Sequence, residues 1–357
     1  MKTGKFEKLF SLLPESIDCA LITSDVNRRY FSGMKSSAGV IAAFREKAYL
    51  IIDFRYYEKA SKTVDACDVV LQEKLFSQIN DLIKKHGAKK AAVEANSMTL
   101  SEFEGYKSGL AETELDGSGT LSKAIEKMRE QKSPDEIEKI KKAQKIAEEA
   151  FENLLNHICE GKTERELALL LDGFMLKNGA EAISFDTIAL SGANTSLPHG
   201  VPSDREIRKG DFLLFDFGAV YDGYHSDMTR TVCLGNPSEE MQKVYDIVLK
   251  AQLEALNAVK AGMKCSELDK IARDIISNAG YGENFGHSLG HGVGLEIHEF
   301  PTASPKSETV LEENMVVTVE PGIYLPGKFG VRIEDFAVIT RDGCINLTNT
   351  SKNFVCL

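Results

Sequence analysis

A chain of 357 residues, 43% hydrophobic and 27% charged, has the make-up of a globular protein and exceeds the length of one average domain. Its formal net charge of −11 excludes the basic surface that nucleic acid or an anionic membrane needs, and no apolar run reaches the roughly 20 residues of a membrane span. The cysteines (Cys19, Cys67, Cys159, Cys233, Cys265, Cys344 and Cys356) form no CxxC pair, and residues 1–6 lack an apolar signal core, which predicts a reducing, cytoplasmic setting.

In the first third, residues 19–23 and 48–53 read as buried strands, and 68–71 and 90–94 as shorter ones. Residues 54–62 and 75–86 carry apolar positions at helical spacing. The alternation predicts an α/β domain with a mixed or parallel sheet, and it contains no motif with evident chemistry. Residues 118–133 are charged and weakly patterned, ending at Ser133, Pro134, Asp135 and Glu136. That run is an N-cap, a proline at the first helical position and acids in the first turn. The predicted division is therefore an N-terminal domain of residues 1–125 and a C-terminal domain of 126–357. The latter reads as helices 134–158 and 163–178 followed by strands to Cys233, then helices 239–261 and 266–279 followed by strands to the end. Two helices and then strands, twice over, predict an α+β domain with helices on one face of a mainly antiparallel sheet and a duplicated architecture.

The chemistry concentrates in this second part. His287, His291 and His298 lie within twelve residues. The i,i+4 pair His287 and His291 imitates a zincin helix, but no glutamate follows His287, and Gly290, Gly292 and Gly294 oppose a helix. Those glycines do not complete a dinucleotide fingerprint either. Asp216 sits between Phe215 and Phe217 in an apolar strand, where an unpaired carboxylate costs several kcal/mol. Asp222-Gly223 predicts a hairpin that sets Tyr221 against Tyr224 and Asp216 against Thr229. Asp227 then becomes the diagonal neighbour of Asp216, with Cβ atoms about 7 Å apart or less. Carboxylates at that distance can share a pair of ions roughly 3.5–4 Å apart. Glu320 ends a strand at a Pro-Gly turn, and Arg332 and Glu334 share one face of another. Taken singly, these acids read as turn caps or exposed ion pairs. Together, hard carboxylates with an imidazole form the donor set of a two-metal hydrolase.

The order Asp216, Asp227, His291, Glu320, Glu334 resembles the M24 metallopeptidases of pita-bread fold. So do the phrases Leu-Pro-His199-Gly, Ser-Asp227-Met-Thr-Arg-Thr, Gly-His291-Gly-x-Gly-x-x-x-His298-Glu, Thr-Val-Glu320-Pro-Gly and Gly-Val-Arg332-Ile-Glu334-Asp. The stretches from Asn27 to Gly33 and from Asp53 to Glu58 resemble the creatinase/prolidase N-terminal domain, so the likeness spans the chain. It implies an Xaa-Pro dipeptidase or aminopeptidase acting on dipeptides or short peptides, in a homodimer. Asp216 would chelate one divalent ion, His291 and Glu320 a second, and Asp227 and Glu334 would bridge both. Four carboxylates against two dications leave a formally neutral cluster able to activate a water. Glu320 is implied as proton shuttle, and His199 and His298 as donors to the substrate and the tetrahedral oxyanion. His287 would belong to a proline-accommodating pocket and Arg332 would hold a bridging carboxylate. Oxygen donors with one imidazole suit Mn²⁺, with Co²⁺, Zn²⁺ and Fe²⁺ as alternatives. The flanking glycines are expected to let backbone approach substrate, and His225 has no role in the pattern. A creatinase-like amidinohydrolase and a non-catalytic binding module of the same fold are the competing readings, and the complete donor set argues against both.

Overall fold

Six short strands build the N-terminal sheet of the computed structural model, which describes residues 4–357. Their order is Asp68–Leu71, Ala48–Ile52, Val40–Phe44, Cys19–Ile22, Lys90–Val93, Glu114–Asp116. Val40–Phe44 runs antiparallel to both neighbours while the outer pairs are parallel, so the sheet is mixed. That central strand is absent from the sequence reading because two alanines in five residues weaken its β signal. Helices Phe54–Thr63, Leu75–His86 and Leu100–Gly109 connect the parallel strands, the last opened by a capping box of Thr99 and Glu102.

The chain divides into two compact units, one reaching to Arg129 and the other running from Glu130 to Leu357. The second opens with helix Pro134–Leu155, whose cap is the predicted one. Ser133 accepts from the Glu136 N–H, and the Glu136 side chain returns to the Ser133 N–H. The helix stops at Leu155 rather than at 158, where the Asn156 N–H turns back to the last carbonyls. Ile140, Ala143, Ala147, Phe151 and Leu154 form its buried stripe. With helix Glu164–Lys177, Ala147, Phe151 and Leu154 cover strands Ile188–Ser191, Phe212–Phe217 and Met228–Cys233. A second helix pair, Glu239–Ala258 and Cys265–Asn278, covers a second core around strands Val316–Val319 and Asp335–Ile339. All named strand pairings of this unit are antiparallel, and the duplicated α+β plan is present as two helix-covered cores. No helix among the described residues is long and apolar enough to cross a membrane.

The hairpin forms as Asp222-Gly223 predicts. Both residues take positive φ (47° and 83°), Tyr221 pairs with Tyr224 and Asp216 with Thr229. Between these pairings the strands cross closely at Gly218, where a Cβ would lie 1.9 Å from the Ser226 carbonyl oxygen. Only glycine fits there, so Gly218→Ala is expected to destabilise the protein by about 3 kcal/mol, read by chemical denaturation. An unchanged midpoint would contradict this account of the crossing.

Candidate metal centre

The antiparallel sheets bring the five predicted donors to one cavity of about 570 Å³. Asp216 projects from Phe212–Phe217, and Asp227 directly precedes Met228–Cys233. His291 is the middle residue of the short strand Gly290–Gly292, Glu320 directly follows Val316–Val319, and Glu334 directly precedes Asp335–Ile339. Donor atoms of Asp227, His291 and Glu334 all lie within 4.8 Å of one another. His291 Nε2 is 3.4 Å from Asp227 Oδ2 and 3.5 Å from Glu320 Oε1. The other ring nitrogen, Nδ1, stands 3.0 Å from the Gly292 carbonyl oxygen. That carbonyl can only accept, so Nδ1 carries a hydrogen and Nε2 is the ring nitrogen that faces the acids.

Packing these acids together has a large electrostatic cost. Burial, reinforced by Asp216 and Glu320, holds the Asp227 carboxyl well above the ordinary carboxylate range. Burial and then Asp227 do the same to Glu334, and burial also raises Glu320. Asp216 Oδ1 and Glu334 Oε1 are buried with no hydrogen-bond partner. Each bare oxygen of this kind costs about 1–3 kcal/mol or more if charged. An oxygen-rich donor set with one imidazole, two unpartnered buried oxygens and mutually repelling carboxylates fits divalent cations, which reverse the local pKa logic.

Arg332 differs from its expected place. Its Nη2 donates to Asp216 Oδ2 at 2.5 Å, and it reaches Glu334 only through Thr229. The Thr229 hydroxyl accepts from Arg332 Nε at 3.0 Å and donates to Glu334 Oε2 at 2.7 Å. Across the Phe329–Arg332 strand pairing, Arg332 Nη1 donates to the Tyr324 hydroxyl at 2.8 Å. Arginine cannot accept, so that hydroxyl passes its own hydrogen to His287 Nε2, 3.0 Å away, and His287 Nδ1 donates to the Ser288 carbonyl. Burial, then Arg332, pushes the His287 pKa down to about 4, keeping the ring neutral as this bonding requires. Tyr324 was not among the residues expected from sequence. The available signal is its position four residues after Glu320, on the strand following the Pro-Gly turn.

His199 is exposed on the loop after the 3-10 turn Gly192–Ser196, and it lines the cavity with His287, His298 and Arg332. His298 stacks edge-on to His291 at 4.5 Å between ring centroids; burial, then His291, lowers its pKa. A buried ion pair, Lys132 to Glu299 at 3.0 Å, fixes the residue next to His298. His225 is absent from the cavity lining. Its Nδ1 meets the Ser184 hydroxyl at 2.7 Å and its N–H donates to the Gly294 carbonyl, so it acts as a strut of the hairpin. The glycines beside His291 have a packing role as well. A Cβ on Gly290 would strike the Thr318 carbonyl oxygen at 1.9 Å, and one on Gly292 the Phe300 carbonyl oxygen at 2.3 Å. They admit neighbouring strands, and Gly290 also lines the cavity.

Residues 138–341 match metallopeptidase family M24, and residues 11–131 match the creatinase/prolidase N-terminal domain. The chain is 42% identical to the Xaa-Pro dipeptidase of Pyrococcus furiosus, over 98% of this chain and 99% of that one. Among solved structures it resembles an Xaa-Pro dipeptidase from Bacillus anthracis, with TM-score 0.96 and 42% identity over all of both chains. It also resembles an X-Pro aminopeptidase from Thermotoga maritima, with TM-score 0.92 and 40% identity over 98% of this chain and 100% of that one. The clustered carboxylates, the single imidazole among them and the match along both units agree: this chain belongs to metallopeptidase family M24 and carries a creatinase/prolidase-type N-terminal domain.

Proposed function

We propose that the protein hydrolyses the Xaa-Pro bond at the amino terminus of dipeptides or short peptides, using two divalent cations held in the cavity. The observation that carries this reading is the meeting of Asp227, His291 and Glu334 donors within 4.8 Å, flanked by Asp216 and Glu320 in one cavity. Asp216 would hold one ion, His291 and Glu320 the other, with Asp227 and Glu334 shared. Mn²⁺ suits this oxygen-rich set, with Co²⁺, Zn²⁺ and Fe²⁺ as further candidates. When bound, such ions lower the pKa of a water and polarise the scissile carbonyl.

The chain's own residues supply the rest. Glu320, raised in pKa by burial, can take the proton released by the attacking water and hand it to the departing prolyl nitrogen. His298, whose pKa partial burial and then His291 lower, can donate a hydrogen bond to the carbonyl oxygen as charge develops there, and His199 lines the same cavity. His287, which lines the cavity, is held by its hydrogen bond to Tyr324. Arg332 offsets the charge of Asp216 and fixes its Oδ2, leaving Oδ1 for an ion. We assign catalysis to residues 126–357, with residues 1–125 as the accompanying domain, in a cytoplasmic homodimer.

The deciding assay loads the protein with Mn²⁺ and compares Ala-Pro with Ala-Pro-Ala. Metal-dependent cleavage of either supports the reading, and a preference for the dipeptide by tenfold or more in kcat/KM, about 1.4 kcal/mol, identifies a dipeptidase. Absence of metal-dependent cleavage of both would sink the peptidase reading and favour an amidinohydrolase or a binding module.

A further inference from the structure

Helix Cys265–Asn278 carries Asp269 and Arg273 one turn apart, outside the cavity lining. The Asp269 side chain is 1% exposed and that of Arg273 26%. Arg273 Nε and Nη2 donate to the two carboxylate oxygens of Asp269 at 2.7 and 2.9 Å. An exposed i,i+4 pair of this type contributes only a few tenths of a kcal/mol. Here the remaining capacity of both groups leaves the helix. Arg273 Nη1 donates to the Phe285 carbonyl at 2.9 Å and Nη2 to the His287 carbonyl at 2.8 Å. Asp269 Oδ1 accepts from the Leu289 N–H at 3.1 Å, and the guanidinium lies 4.2 Å over the Phe285 ring.

The pair therefore grips residues 285, 287 and 289, alternate positions of the stretch that leads into His291. That stretch bears on the centre at two points. The His287 ring meets Tyr324, and the Leu289 carbonyl accepts the Glu320 N–H at 2.9 Å.

We infer that Asp269 and Arg273 form a positioning brace that sets the main chain of residues 285–289, and through it the contact of His287 with Tyr324 and the seat of Glu320. The fork of a guanidinium is what the task needs, because one planar group must reach two carbonyls and a carboxylate. The kinetic consequence rests on the proposed peptidase reading; the geometry does not.

The test uses the full chain with Arg273→Ala and Arg273→Lys. Lysine keeps the charge beside Asp269 but cannot span the Phe285 and His287 carbonyls. Both variants should lower kcat/KM on Ala-Pro by about 10- to 100-fold, the range of a group that orients another. Adding His287→Ala to Arg273→Ala should cost little more, because the two act through one contact. In metal-free protein labelled with ¹⁵N-histidine, the His287 ring resonances, identified by their loss in His287→Ala, should move in both Arg273 variants while those of His157 stay. Additive losses, or unmoved His287 resonances, would overturn the brace. If the wild-type protein cleaves no Xaa-Pro substrate, the peptidase reading fails and the resonances still decide the brace. If Arg273→Ala does not fold, Arg273→Lys carries both measurements.

Discussion

Asp227→Ala should abolish metal-dependent cleavage, lowering kcat/KM by about 1000-fold or more, a loss of about 4 kcal/mol in transition-state stabilisation. The residue is 4% exposed, lies diagonal to Asp216 in the hairpin register and stands 3.4 Å from His291 Nε2, at the centre of the donor cluster. The same substitution should have the opposite effect on the metal-free fold. Burial and the repulsion of Asp216 and Glu320 already disfavour the charged form of Asp227. Removing it relieves that repulsion, although the space left behind offsets part of the gain. Thermal unfolding with and without Mn²⁺ checks both halves. The wild type should show a metal-induced rise in Tm that the variant lacks, and the variant without metal should be at least as stable as the wild type without metal. Retained activity would reject the proposed centre.

Chelation should inactivate the protein completely and leave a cluster of buried acids whose contribution to stability falls as pH rises. The sign follows from the direction of the shifts. Asp227, Glu320 and Glu334 are all raised above their ordinary values of 3.8 for Asp and 4.5 for Glu. At these three acids the folded metal-free state therefore binds more protons than the unfolded state, so their contribution to ∂ΔG/∂pH of unfolding is negative, opposed below the ordinary imidazole value of 6.5 by His225, His287 and His298, whose pKa values burial lowers. The acids' contribution is fully present below the ordinary carboxylate values and is lost progressively from there up to the elevated folded ones. Divalent cations compensate the same charges, so the metal-induced rise in Tm should grow between pH 5 and pH 8. A metal-induced rise in Tm that shrinks with pH over this range would contradict the clustering of buried acids.

Much of this site is legible in the chain because its carriers obey local rules. Asp222-Gly223 demands a two-residue turn with both φ positive, and that turn sets which residues oppose one another. Thr229 is therefore placed against Asp216, with Asp227 one step away, before any tertiary contact is considered. The Ser133-Pro134-Asp135-Glu136 start is equally local, since each residue satisfies or tolerates an unpaired N–H within one turn. Val40–Phe44 shows the limit. Its alanines favour no strand by themselves, and it becomes the link of the mixed sheet only because both flanking strands supply hydrogen-bond partners.

The sequence by itself determined the donor types, their order along the chain, the hairpin register and the helix caps, all set within a few residues or by side-chain chemistry. Tertiary structure alone decided which charge meets which. Arg332 lies two residues from Glu334 yet spends its guanidinium on Asp216, 116 residues away in sequence, because the two strands that carry them converge on one cavity. Likewise, Gly290 and Gly292 beside His291 leave room for the carbonyls of Thr318 and Phe300. His225 supports the hairpin through Ser184 and Gly294. Such contacts depend on where separate strands come to rest, and a pattern of residue types carries no term for that distance.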